Sequence, residues 1–475
     1  MSKQKHWFFA PFLLSFMVGA TAADKPAAFS RADLQAVDTL LERALADPTA
    51  YQLVESLTTE VGSRLSGSSG DKAGVAWAVR EMQRLGLANV RTSDAFVPNW
   101  VRGEAEFSVL APWPQSMPTL ALGGSVGTSE LGLEAEAVMV KDLAALAALP
   151  AGAVKDRIVF FNNRMARTRD GSGYAAAVAA RSNGPSAAAA LGAVGVVIRS
   201  IGTSNQRFPH TGGTRYSLNA PRIPALAIAN PDADSLERQF ASGKPVRLRL
   251  KSTSRDLPQV RSANVIGEIP GSDLAGEIVI LAAHLDSWDT GVGAIDNASG
   301  CGILLGVAKL IRELDLKPRR TIRLVLFANE EYAQSGSIAY LAAHEAELPR
   351  HVLGFEADFG AGPVWRLSTR VNPAQLPVVE QIRRALRPLK LEVGSNEARG
   401  GADLDGLAKQ GMALISPDLD GTNYFDVHHT DNDTLAQVDP NAIRQSVAAF
   451  AVGIWLGAQY SGNWERVTTA KPARR

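Results

Sequence analysis

Residues 284–300 read HLDSWDTGVGAIDNASG, so His284, Asp286, Asp289 and Asp296 crowd in directly after the apolar run Ile278 to Leu281. Carboxylates this close to the end of a buried strand repel one another unless positive charge sits among them. The pattern recurs along the chain. FANEE places Glu330 and Glu331 after the apolar stretch 321–328, EADFG places Asp358 after 352–357, and YFDVHHTDNDT places His428 and His429 beyond 412–416. Each piece alone is weak, because an HxD is common and paired glutamates usually mark a solvated surface. Together they gather imidazoles and carboxylates on one rim, and that donor set suits zinc. Two divalent ions resolve the charge problem. One carboxylate can bridge them, and the small positive surplus left over favours deprotonating a bridging water into a nucleophile.

The elements that must carry these residues alternate. Strands are expected at 264–269, 277–283, 321–328, 352–357 and 412–416. Helices are expected at 299–314, 335–344, 377–386 and 404–409, with a closing helix at 441–460. Short, nearly continuous apolar strands alternating with helices predict an α/β fold with a mainly parallel central sheet and helices on both faces. Sites in such sheets form where the strands' carboxyl ends meet loops, which is where the polar residues above fall. Helix 299–314 carries Ile303, Leu304, Leu305, Val307 and Leu310, apolar nearly all round, so it should be buried.

The N-terminal part has helical spacing at 51–61 and 74–85 and short strands near Phe96 and at 107–110. Pro112, Pro114 and Pro118 then mark a boundary. From there the chain turns alanine- and glycine-rich with short β runs, which reads as an inserted β-rich accessory domain. Its one histidine, His210 in RFPHTGG, reads as an ordinary loop histidine. The expected organisation is an export signal at 1–22, an N-terminal part of the catalytic domain at 23–115, the insert at 116–255, the remaining catalytic domain at 256–465 and a basic tail at 466–475.

The whole chain has 475 residues, 46% hydrophobic and 20% charged, with a formal net charge of +1. Nothing global steers it toward nucleic acid or an anionic membrane. Lys3 and Lys5 precede the apolar stretch 7–18, and Ala20, Thr21 and Ala22 supply a small-residue cleavage site. That pattern predicts a periplasmic or secreted protein, free of the membrane once cleaved. The single cysteine, Cys301, allows no intramolecular disulfide and reads as a small buried hydrophobe.

The ordered set NVIGEIPGS, HLDSWD, DNASG, FANEE, EADFG and HHTDNDT resembles the family of co-catalytic dizinc exopeptidases, from about Asn264 to Tyr460. That family includes secreted aminopeptidases, glutamate carboxypeptidase and carboxypeptidase Q. The insert resembles a protease-associated domain, and IRS followed by RFPHTGG points toward the carboxypeptidase Q branch. The resemblance implies two Zn²⁺ held by His284, Asp296, Glu331, Asp358 and His429, with Asp296 bridging. It implies Glu330 as general base, His428 as a neighbour of the ligand, and Asp286 as an outer acceptor orienting His284. Asn297 departs from many relatives at a position not expected to ligate. Asp403 in GGADLDG resembles a substrate-pocket aspartate, and a helix N-cap is the competing role. The implied substrates are short peptides, dipeptides above all, with a homodimer possible. Removal of N-terminal residues from longer peptides is an alternative. A metal-free binding ectodomain and a one-zinc glutaminyl cyclase are two further readings, separable by metal count.

Overall fold

The computed structural model describes residues 28–467. The expected export segment and all but the first two residues of the basic tail lie outside the described residues.

Strand Leu274–His284 is apolar throughout its centre because both of its faces are covered. Val279, Leu281 and Ala283 enter one core layer with helices Arg31–Ala46, Thr49–Ser56, Ser299–Glu313 and Pro440–Gln459. Ile278, Ile280 and Ala282 enter the opposite layer with helices Ser335–Ala343 and Asp405–Lys409. Alternating side chains on a two-sided strand require this continuous hydrophobicity. The sheet is parallel from Arg320–Phe327 through Leu274–His284 and His351–Glu356 to Ala413–Leu419. Arg255–Ile269 and Ala88–Val101 extend one side antiparallel, and Val364–Arg370 extends the other. The expected α/β architecture is therefore present, with antiparallel flanks added. Helix Ser299–Glu313 is buried over most of its length, as its all-round apolar sequence requires.

A second eight-stranded sheet is built from residues 105–252 and starts ahead of the prolines Pro112, Pro114 and Pro118. Its centre, Leu133–Val140, Ile158–Phe161, Gly195–Arg199 and Ala225–Ile228, is parallel, with antiparallel strands at its edges. It is not β-rich alone, because helices Ser172–Ala177, Gly184–Ala190 and Asn230–Ala241 accompany it. The first two escape pattern reading because they are runs of alanine without apolar periodicity. Both chain crossings between the units lie side by side: Thr253 N–H donates to Glu104 O at 2.9 Å, and Glu104 N–H to Thr253 Oγ1 at 2.8 Å.

A buried polar relay sits beneath the first sheet. Arg323 Nη1 donates to Tyr340 Oη at 3.0 Å, which donates to His351 Nε2 at 2.7 Å, and His351 Nδ1 donates to Glu347 O at 3.1 Å. Burial, with Arg323 nearby, lowers the His351 imidazole to about 4 despite the Glu347 carbonyl and carboxylate. His344 also faces this relay, stacked on Tyr340. The unfolded chain takes up a proton at about pH 6.5, before the folded one does. This stabilisation is therefore present above pH 6.5 and lost as pH falls toward 4. His351→Phe is expected to retain about 2 kcal/mol more of its own stability than the natural chain between pH 8 and pH 5. Urea unfolding at both pH values measures this, and parallel losses would contradict it.

Candidate metal centre

Three parallel strand ends and one distant loop converge. His284 closes strand Leu274–His284, Glu330 and Glu331 follow Arg320–Phe327, Asp358 follows His351–Glu356, and His429 arrives from the loop beyond Ala413–Leu419. The loop carrying Asp286 and Asp296 is tied down by a residue far away in sequence, Arg64. Its buried guanidinium donates to Leu285 O at 2.7 Å, Val292 O at 2.7 Å and Gly293 O at 2.9 Å. Asp433 accepts from Ile295 N–H at 2.7 Å on the other side. Gly300 opens the next helix where no side chain fits, since a Cβ there would lie 2.2 Å from Ala357 O.

Asp296 is the centre of the arrangement. Its Oδ1 lies 3.3 Å from His284 Nε2 and its Oδ2 lies 3.2 Å from His429 Nε2. Asp358 Oδ1 completes the first group at 3.2 Å from His284 Nε2, and Glu331 Oε2 the second at 2.9 Å from His429 Nε2. All five side chains named by the resemblance thus meet as two clusters sharing one carboxylate. The structure also brings in His428, whose Nε2 lies 3.5 Å from Asp296 Oδ2. Its ring stacks on His429 with centroids 3.5 Å apart.

The electrostatics call for a cation. His284 Nδ1 donates to the Asp286 carbonyl at 3.0 Å, leaving Nε2 to face two carboxylates. Burial pulls the His284 imidazole down, but Asp358, Asp286 and Asp296 hold it well above its usual value. Against burial, Glu331 and Asp296 raise His429 to about 9. Burial, with Asp296 beside it, pushes Glu331 up to about 7. Among the described residues, Asp296 Oδ2 and Glu331 Oε1 are buried without hydrogen-bond partners. Imidazole nitrogens, carboxylate oxygens and orphaned lone pairs together fit divalent metal of the zinc type.

Asp286 is the outer acceptor beside His284, through its main-chain carbonyl. Its carboxylate stands 3.6 Å from His284 Nδ1, farther than its own carbonyl. That carboxylate accepts instead from Glu330 N–H at 3.0 Å and Glu331 N–H at 3.4 Å. It thereby fixes the backbone of both glutamates. The Glu330 carboxylate receives no hydrogen bond from a described residue, and burial and Asp358 raise its pKa. Glu330 lines a cleft of about 530 Å³ beside the clusters.

Asp403 is buried with neither carboxylate oxygen partnered among the described residues, and it does not line that cleft. Nor does it cap the helix. Glu356, unremarked in the sequence, accepts from Gly401 N–H at 3.0 Å, Asp403 N–H at 3.1 Å and Leu404 N–H at 2.9 Å.

The second unit supplies the opposite wall of the cleft through Tyr174, Arg181, Ser182, Asn183 and Arg215. It is fastened across the site by Arg167 to Asp426 at 2.6 Å, Arg169 to Asp420 at 2.7 Å, and stacking of Tyr174 on Phe425 at 4.8 Å.

Comparison with known proteins agrees with this geometry. Residues 264–453 match the peptidase family M28 profile. Mouse carboxypeptidase Q is 31% identical over 410 residues, covering 86% of this chain and 85% of that protein. The Bacillus subtilis aminopeptidase YwaD is 24% identical over 409 residues, 84% and 82% of the two chains. The crystal structure of a peptidase M28 precursor from Shewanella amazonensis superposes with a TM-score of 0.90 at 42% identity, covering 92% of this chain and 99% of that one. The zinc aminopeptidase BSAP of Bacillus subtilis shares the fold, with a TM-score of 0.62 at 22% identity over 86% and 95% of the chains.

Proposed function

This chain belongs to peptidase family M28, and from that premise we propose that it is a two-zinc exopeptidase of short peptides, dipeptides above all. The observation that carries the proposal is Asp296, with one oxygen 3.3 Å from His284 and the other 3.2 Å from His429. His284, Asp296 and Asp358 would hold one ion, and Asp296, Glu331 and His429 the other. Zinc held there would supply a Lewis acid for a bound water and for the peptide carbonyl. Glu330, whose carboxylate receives no hydrogen bond from a described residue, takes the proton of the attacking water and delivers it to the leaving amine. Asp286 holds the Glu330 and Glu331 amides, so the two adjacent carboxylates keep separate tasks.

Action at a chain end is supported by the names of the relatives, a carboxypeptidase and an aminopeptidase. The second unit bears on the choice, since its Tyr174, Arg181 and Arg215 line the same cleft as Glu330. A second reading, removal of N-terminal residues from longer peptides, is favoured by one feature. Arg215, Tyr332 and Gln334 also line a neighbouring cavity of about 710 Å³ into which a longer chain would continue.

Rates on a free dipeptide, its N-acetyl and C-amide forms, and a ten-residue peptide decide between these. Loss of rate on blocking either end is expected of a dipeptidase. Loss on acetylation alone identifies an aminopeptidase. Cleavage within the long peptide, or indifference to both blocks, would refute exopeptidase action.

A further inference from the structure

Residues 207–213, RFPHTGG, lie in the second unit, yet this loop ends against His428 and His429 of the catalytic unit. His210 is buried and its backbone is anchored by donation to Ser200 Oγ at 2.7 Å. Its Nδ1 donates to the His428 carbonyl at 2.7 Å across 218 residues of sequence. Thr211 brackets the next residue from both sides. Its N–H donates to His429 O at 3.0 Å, and its carbonyl accepts from His429 Nδ1 at 3.3 Å.

The rest of the motif makes that approach possible. Gly212 has φ +132, and a Cβ there would lie 2.3 Å from Arg181 Nη1. A Cβ on Gly213 would lie 3.3 Å from Glu331 O. Thr211 Oγ1 accepts from Arg102 Nη1 at 2.7 Å and donates to Ala121 O at 3.1 Å. Arg102 also pairs with Asp289 of the HLDSWD loop.

An interface loop that merely packed would not need these partners. His429 has φ +62, a left-handed conformation that a non-glycine residue keeps only when its surroundings impose it. The bonds to Thr211 supply that constraint. They also decide which ring nitrogen bears the proton. Arg181 Nη1 stands 3.5 Å from His429 Nδ1 and can only donate. Were Nδ1 to accept from Arg181, the proton would sit on Nε2 and block it as a ligand. Donation to the Thr211 carbonyl leaves the Nε2 lone pair toward Asp296 and Glu331.

We propose that the RFPHTGG loop is a positioning element of the metal centre, with His210 and Thr211 holding the His428–His429 segment so that His429 presents Nε2 to its ion. The second unit is then part of the metal site as well as a wall of the cleft. The inference rests on the two-zinc reading above.

The test is zinc titration of the full, chelator-stripped chain against a competing chelator, with the melting temperature of the metal-free chain recorded alongside. The natural chain should bind two ions. His210→Phe keeps a ring but removes the donor, and should weaken one of the two sites by ~10–100-fold while leaving the other unchanged. His210→Asn, whose Nδ2 takes the position of the imidazole Nδ1, should restore it. Two ions bound by His210→Phe with unchanged constants would overturn the proposal. So would equal weakening of both sites with a lowered metal-free melting temperature, which marks general loosening. Fewer than two ions in the natural chain would overturn the two-zinc reading, and the proposal with it. Should His210→Phe fail to fold, His210→Leu decides by the same measurement, since it removes the same ring donor to the His428 carbonyl with a smaller side chain. Selective weakening of one site supports the proposal, and unchanged constants contradict it.

Discussion

Asp296→Asn is expected to lose both zinc ions and, with them, at least ~10³-fold in turnover on a free dipeptide. The magnitude follows from the several kcal/mol of transition-state stabilisation that metal supplies, at about 1.4 kcal/mol per decade. The geometry explains why one substitution should reach both ions. Asp296 places one oxygen beside each histidine, and it is buried at the junction of the two clusters. An asparagine retains a single weak oxygen donor and removes the charge that offsets the two cations. Glu331→Gln, which touches only the His429 cluster, should release one ion. Zinc analysis of both variants after dialysis measures the difference. Two ions retained by Asp296→Asn would remove the shared carboxylate from the account.

Glu330→Gln separates chemistry from metal binding. It should keep its zinc and lose at least ~10²-fold in turnover, the usual contribution of a general base. Glutamine preserves the shape of the side chain, and the backbone anchor at Asp286 Oδ1, 3.0 Å away, does not depend on the side chain. Only the ability to take a proton is lost. Near-natural turnover would dismiss Glu330 as the base. Loss of an ion from Glu330→Gln, with Glu331→Gln retaining both, would show that the roles of the adjacent glutamates are reversed.

The sequence carried the catalytic fold and the meeting of the site residues well, and for a physical reason. Ile278 to Leu281 and its neighbouring runs are apolar on both faces because the central strands are covered twice, and polar residues can then collect only at the strand ends. Which residue does which task came from the resemblance, since spacing alone does not separate Glu330 from Glu331 or His428 from His429. What stayed hidden lies in bonds to backbone atoms across long separations. Arg64 serves Gly293 O, Glu356 serves the amides at 401–404, and His210 serves the carbonyl of His428. No residue type at the receiving end announces such a partner, because every residue has a carbonyl and nearly all an N–H. Strand Val364–Arg370 was missed for another reason. At a partly exposed flank it carries arginines, serine and threonine, so no apolar run marks it.

The proposed centre holds two ions on one shared carboxylate. Elemental analysis of the purified, dialysed protein tests it most directly. Two zinc ions per chain are expected, with activity lost on chelation and restored by zinc. One ion per chain, or none in an active protein, would contradict it.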